Sequence, residues 1–287
     1  MPRHAHEIAV EVPIVVPGAE QPAQRPPPGF DPRLFSRLAA LEATHFWFGA
    51  RRRAVAPLLA QLTAGLSPGY RVLEVGCGTG GTLGLLREVC RDGRVLGFDL
   101  ELAGLAFACG RTAAGLLQAD LTRPPFNQEF AVICLFDVLE HIPEEQLVLR
   151  NLFQLLAKGG SLLLTVPASP ALWSYFDVAV HHQRRYRAAD LADRLAAAGF
   201  EVEYLTPYMA ALFPLVYLKR TWSAQRARLR PRGLPRVDHL VLDDLAPLPP
   251  WANRLASLLL AFEPALITRR RRLPTGTSLL AVARRPR

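Results

Sequence analysis

The residues most able to do chemistry fall into three groups. In the first, Glu74 stands two residues ahead of the run Gly76-Cys77-Gly78-Thr79-Gly80-Gly81. Four glycines in six residues, directly after the β-rich stretch 70–75, allow a sharp turn and bring backbone N–H groups against a ligand at the start of a helix. Asp99, followed by Leu100, ends a second β-rich stretch, and Asp120, followed by Leu121, ends a third. Ligands of open α/β sheets lie beyond the carboxyl ends of the strands, so the three carboxylates converge on one ligand. Each can accept hydrogen bonds: from an ammonium at Glu74, from vicinal hydroxyls at Asp99, from an amino group at Asp120. One such carboxylate alone reads equally well as a helix cap; three at this spacing are more specific.

The second group, Asp137, Glu140 and His141, follows the apolar run FAVICLF (130–136). Histidine titrates near neutrality, and His141 is a candidate general base, or else the cap of its own turn. The third group follows the next strand: Asp177, His181, His182, Arg184, Arg185 and Tyr186. In an acceptor pocket, His182 or Tyr186 would polarise a hydroxyl, while His181, Arg184 and Arg185 would bind the acceptor, the arginines through an anionic group. The alternative is a solvated charged face ahead of a helix. His45 and Trp47, with Phe46 and Arg51, form either a lid over the site or an aromatic staple onto the sheet, and Trp173 is open to the same two readings.

These groups need a scaffold, and the pattern supplies one. Short β-rich runs at 70–75, 94–99, 115–119, 130–136, 161–166 and 200–204 alternate with helical stretches, which specifies a doubly wound, mostly parallel sheet. Residues 158–160, Lys-Gly-Gly, read as the turn out of the helix at 144–156. A last strand is expected at 278–283, separated from the sixth by a long connection that should carry structure of its own. Eight of the 25 prolines lie in residues 1–32, which read as a tail.

Which cofactor would the carboxylates hold? Gly76, Gly78 and Gly81 satisfy the dinucleotide fingerprint, a weak signal by itself. The phosphates of a dinucleotide gain nothing from Glu74, whereas the methionine ammonium of S-adenosylmethionine does. VLEVGCGTG, GFDL, QADL and FDVLEHI, in this order, resemble the class I S-adenosylmethionine-dependent methyltransferases, nearest to the bacterial small-molecule and quinone-biosynthesis type. The resemblance implies a Rossmann-like seven-stranded sheet with an antiparallel last strand. It places Glu74, Gly76, Cys77, Gly78 and Gly80 around the methionine moiety, Asp99 and Leu100 at the ribose, Asp120 and Leu121 at the adenine, and Asp137 on the sulfonium side. HFWFGARRR, VPASPALWSYFD, HHQRRY and LPTGTSLLAVARR resemble a narrower bacterial subgroup. The resulting organisation is a Pro-rich tail (1–32), a helical lid (33–69), the cofactor-binding core (70–204), a helical basic insertion (205–276), and the last strand with its tail (277–287). The expected activity is methyl transfer to oxygen or carbon of a small molecule, with a lipid-linked acceptor as the alternative. A non-catalytic cofactor-binding protein is disfavoured by the intact motif set.

Charge and composition narrow the partners. The formal net charge of +9 hides an asymmetry: residues 1–204 sum to −2 and residues 205–287 to +11. Nucleic acid is not expected as the acceptor, because no Asn/Asp-Pro-Pro-aromatic tetrad follows the fourth strand and no Pro-Cys nucleophile is present. The apolar runs at 208–218 and 255–267, each followed by arginines, suit either helices covering the sheet or peripheral membrane contact through 208–272. The four cysteines lack ligand spacing, so neither metal nor disulfide is expected. Without an evident signal peptide or a long apolar span, the expected location is the cytoplasm, with or without membrane association.

Overall fold

The structure, a computed structural model, describes residues 34–126, 129–229 and 248–287. The proline-rich stretch 1–32 lies outside the described residues. Two helices open the described chain, α1 (Phe35–Thr44) and α2 (Phe46–Thr63). They are followed by β1 (Arg71–Val75), α3 (Leu83–Val89), β2 (Arg94–Asp99), α4 (Leu102–Cys109) and β3 (Gly115–Gln118). Next come β4 (Phe130–Phe136), a 3-10 turn (Leu139–His141), α5 (Glu145–Leu155), β5 (Leu156–Pro167), α6 (Tyr175–Ala179), α7 (Ala188–Ala197) and β6 (Glu201–Tyr208). The last third supplies α8 (Phe213–Leu229), α9 (Pro250–Leu259), α10 (Glu263–Thr268) and β7 (Ser278–Arg284).

One seven-stranded sheet runs β3-β2-β1-β4-β5-β7-β6. Strands β1 to β5 pair in parallel, and β7 inserts antiparallel between β5 and β6. Strand alternation sends successive side chains to opposite faces, and two cores result. Leu73, Val75, Ile133 and Leu135 face α5 and α7. Val72, Val132 and Cys134 face α2 and the C-terminal helices. Both faces of β4 are therefore dry, which explains its uninterrupted apolar sequence. Each fully buried leucine on these faces contributes about 1.5–3 kcal/mol.

Two expectations are corrected. Lys158-Gly159-Gly160 is not a turn between elements but an irregularity inside β5, where the pairing steps from Phe130–Leu156 to Val132–Ser161. Gly160 lies so close to the carbonyls of Phe130 and Ala131 that a Cβ would press on both, so glycine serves close strand approach here. The sixth strand runs four residues past Tyr204, because β7 offers a partner along its whole length. Helix α2 begins at Phe46, where the Trp47 N–H donates to Nδ1 of His45 at 3.3 Å, a side-chain cap on the first turn. The apolar run 255–267 is divided between α9 and α10.

Candidate active site

A cavity of about 990 Å³ opens at the carboxyl ends of the parallel strands, closed on one side by α1 and α2. Beyond β1 the glycine loop turns back on itself. Gly76 has φ +68°, and a Cβ there would overlap Val138, so only glycine fits. The amides of Gly76 and Cys77 donate to the Phe98 carbonyl at 2.8 and 3.1 Å, fixing the loop to β2. Asp99 secures it further: one oxygen accepts from the Gly78 N–H at 2.7 Å and the other from the Glu101 N–H at 2.8 Å. Burial raises the Asp99 pKa, and these amide bonds oppose the rise. Asp120 holds its own turn by accepting from the Thr122 N–H at 2.8 Å.

Glu74 is 3% exposed, and its Oε2 has no hydrogen-bond partner among the described residues. Burial pushes its pKa up to about 8, although Arg51 pulls the other way. Arg51 is itself buried. It pairs with Asp137 at 2.8 Å, donates to Thr82 at 3.4 Å, and stacks near the rings of Trp47, Phe48 and Phe136. Its Nε is unpaired. Asp137 holds a left-handed backbone (φ 56°), which aspartate tolerates better than most residues. It is fixed by its N–H donating to the Thr165 carbonyl at 2.9 Å and by accepting from the Thr165 hydroxyl at 3.0 Å.

An orphaned carboxylate oxygen and an orphaned guanidinium nitrogen at one end of the cavity fit the two charged ends of an amino acid. Glu74 would take the ammonium of the methionine moiety and Arg51 its carboxylate. Asp99 and Asp120 line the same cavity with Cys77, Gly78, Leu100 and Leu121. Gly80 does not line it; a Cβ there would press on the backbone of Ala108 in α4, so this glycine serves loop–helix packing.

The acceptor candidates are sorted by the stretch after β5. An isolated parallel bridge joins Ala168 to Tyr186, and successive residues there point in opposite directions. Arg184 and Tyr186 both turn to Glu145, at 2.8 and 2.7 Å, and neither lines the cavity. Tyr186 is buried, and burial with Glu145 drives its hydroxyl far above the ordinary tyrosine range. Arg185 lies between them and turns to Asp177 at 2.7 Å. Asp177 also accepts from His182 Nδ1 at 2.9 Å and pairs with Arg220 at 3.2 Å. Burial disfavours its charge, yet His182, Arg185 and Arg220 hold its pKa down to about 2. Asp177 does not line the cavity, whereas His182, Arg185 and Arg220 do.

Glu140 and His141 line it as well. Burial, with Asp137 nearby, holds the Glu140 carboxyl well above the usual range. Burial and the neighbouring His182 and His181 push His141 down to about 3, so it stays uncharged. His45 and Trp47 reach the cavity; Trp173 and His181 do not. Glu42 of α1 carries no local signal for a role here. It accepts from the Thr79 hydroxyl and from Arg111 at 2.6 Å, clamping the lid onto the glycine loop.

The family model described as "Methyltransferase domain" matches residues 47–205. The fold and the cofactor end define a methyltransferase, and the chain belongs to this methyltransferase-domain family. It is similar to a Mycolicibacterium smegmatis protein named for S-adenosylmethionine-dependent methyl transfer, at 31% identity over 58% of this chain and 63% of that protein. It is also similar to phosphoethanolamine N-methyltransferase 1 of Triticum aestivum, at 34% identity over 47% of this chain and 29% of that one. The chain thus spans less than two thirds of these relatives' lengths. A solved structure of Haemonchus contortus phosphoethanolamine N-methyltransferase 2 with S-adenosyl-L-methionine shares the fold at a TM-score of 0.51 and 17% identity. That likeness covers 82% of this chain and 52% of the solved one.

Proposed function

We propose that the protein transfers the methyl group of S-adenosylmethionine to a hydroxyl oxygen of a small-molecule acceptor. Bound S-adenosylmethionine supplies a methyl group already activated on a sulfonium, so the chain chiefly aligns the acceptor with it. The observation that carries the oxygen reading is the cluster of Glu140, His141 and His182 in the cavity that also holds Glu74 and Asp99. A hydroxyl must lose its proton as it takes the methyl group, and His182 is the member of the cluster placed to assist that loss. Asp177 fixes the His182 ring, and Arg185 supports recognition of an anionic part of the acceptor. The test is a screen of phenolic and sugar hydroxyl acceptors beside amines, following S-adenosylhomocysteine release and product mass. Formation of an O-methyl product is expected. Turnover with amines alone would overturn the reading.

A second reading, an acceptor carried on a lipid at a membrane interface, is favoured by the outer faces of α8 and α9. Leu215, Leu218 and Trp222 on α8, and Trp251, Leu255 and Leu258 on α9, are each more than half exposed. Both helices pack on the 3-10 turn Ala210–Leu212, and Leu212, Val216 and Lys219 belong to the cavity wall. No described helix is long and apolar enough to cross a membrane, so this would be contact from one side. Flotation with vesicles containing anionic lipid at low salt is the test. Binding that falls in a Trp251→Ser, Leu258→Ser double variant supports the reading, and absence of binding overturns it.

A further inference from the structure

Glu140 is 1% exposed, and neither of its carboxylate oxygens has a hydrogen-bond partner among the described residues. A buried ionisable group left without partners is costly, and it calls for an explanation. Nδ1 of His141, the next residue, is also buried and has no partner among the described residues. The third neighbour is His182. Its Nε2 stands 3.8 Å from Glu140, too far for a hydrogen bond, and its ring meets that of His141 edge-on at 4.7 Å between centroids. One donor atom from each of Glu140, His141 and His182 lies within 4.8 Å of the other two.

We infer that this cluster is a divalent-cation site. Two imidazoles and one carboxylate suit a first-row transition ion better than calcium or magnesium, which prefer all-oxygen sets. The surroundings match what such a site needs. Histidine ligands to metals ordinarily give their other ring nitrogen to a carboxylate, and His182 gives Nδ1 to Asp177 at 2.9 Å. Arg185 and Arg220 are paired with Asp177 and not with Glu140, so the nearby cations leave the Glu140 oxygens available. The Gln183 N–H donates to the Glu140 carbonyl at 2.7 Å, tying the turn after β4 to the segment after β5 and fixing the ligands' approach. All three ligands line the cavity, so the remaining coordination positions face the acceptor. There the ion would bind the acceptor hydroxyl and lower its pKa, so that the oxygen gives its proton to solvent, in place of His182, and takes the methyl group as the sulfonium leaves as the thioether of S-adenosylhomocysteine. This purpose rests on the O-methylation reading; the binding itself does not.

The experiment titrates Co²⁺ into the full chain and follows its visible absorption. One ion per chain is expected. Glu140→Gln and His182→Ala should each weaken binding at least ten-fold, and Asp177→Asn less so, because it acts on the ligand and not on the ion. S-adenosylmethionine binding in each variant reports that the fold survives. Absence of Co²⁺ absorption at millimolar metal would overturn the site, and so would affinity unchanged in both Glu140→Gln and His182→Ala. O-methylation by a chain that binds no Co²⁺ overturns the cation site and keeps the O-methyl reading. Co²⁺ binding with turnover of amines alone does the reverse.

Discussion

Asp99 and Asp177 both stand on the carboxyl edge of the sheet, one serving the cofactor end of the cavity and the other its acceptor end. Asp99 is held by backbone: both of its oxygens accept from main-chain N–H groups within three residues of a strand end or a glycine turn. Asp177 accepts from one main-chain N–H, that of Ser174 at 2.8 Å, and is otherwise held by side chains, with His182, Arg185 and Arg220 all leaning on it. Backbone partners are set by the local turn, so the Asp99 brace depends little on side-chain identity elsewhere. Side-chain partners come from two separate segments, the stretch after β5 and α8, so the acceptor end is coupled. A change at one member there should propagate to the others.

The sharpest way to break this contrast is Asp177→Asn. Removing one partner of a buried ion pair typically costs about 3–5 kcal/mol, which corresponds to a fall in Tm on the order of 10 °C for a chain of this size. Asp120→Asn, which can keep its turn through the amide oxygen, should cost far less. Thermal melts of the two variants side by side test this. Equal losses would show that the acceptor end is no more coupled than the cofactor end.

Asp99→Ala comes next. It is expected to weaken S-adenosylmethionine binding by at least ten-fold, about 1.4 kcal/mol, because the ribose partner and the brace on Gly78 are lost together. Calorimetry reads it directly. Affinity that survives the change would move the ribose site away from β2.

Glu74 gives a smaller, pH-dependent effect. Its carboxyl is raised to about 8 in the folded chain, against an ordinary value near 4.3 in the unfolded one. Between those values the folded state holds a proton that the unfolded state has released, so stability falls as pH rises across that window. An ammonium beside Glu74 favours its ionised form, so cofactor binding near pH 7 should release up to about one proton. Affinity should then rise with pH toward 8. Calorimetry in buffers of different ionisation enthalpy measures the release, and Glu74→Gln should abolish it. A wild-type chain with no release would remove Glu74 as the ammonium partner.

The same contrast governs how much could be read from the sequence. The cofactor end was legible because its signals are local: a glycine turn after a strand, a carboxylate at each of the next strand ends, and an apolar β4 whose bounds agree with the structure. The acceptor end yielded its residue types but not their arrangement. Arg220 meets Asp177 from 43 positions away, and at the cofactor end Arg51 meets Asp137 from 86; no spacing rule announces either pair. Glu42 reaches the glycine loop only because α1 folds over it. Within HHQRRY the obstacle was parity. Neighbouring residues of an extended segment face opposite ways, so Arg185 enters the cavity while Arg184 and Tyr186 turn to Glu145.

The same alternation along the segment after β5 sets the smallest expected effect. Read from residue types alone, Tyr186 is a group that polarises an acceptor hydroxyl. Placed on the wrong side of its segment, it is a buried donor to Glu145, which also pairs with Arg184 and Arg194. Tyr186→Phe would delete one hydrogen bond from a carboxylate that keeps two arginines, a loss of about 1 kcal/mol. Stability should therefore fall slightly, while KM, kcat and S-adenosylmethionine affinity stay as they were. A variant with an intact Tm and a lowered kcat would return Tyr186 to the chemistry. It would also mean that the segment after β5 presents its other face to the cavity during turnover, and the division between a backbone-held cofactor end and a side-chain-held acceptor end would have to be redrawn around that movement.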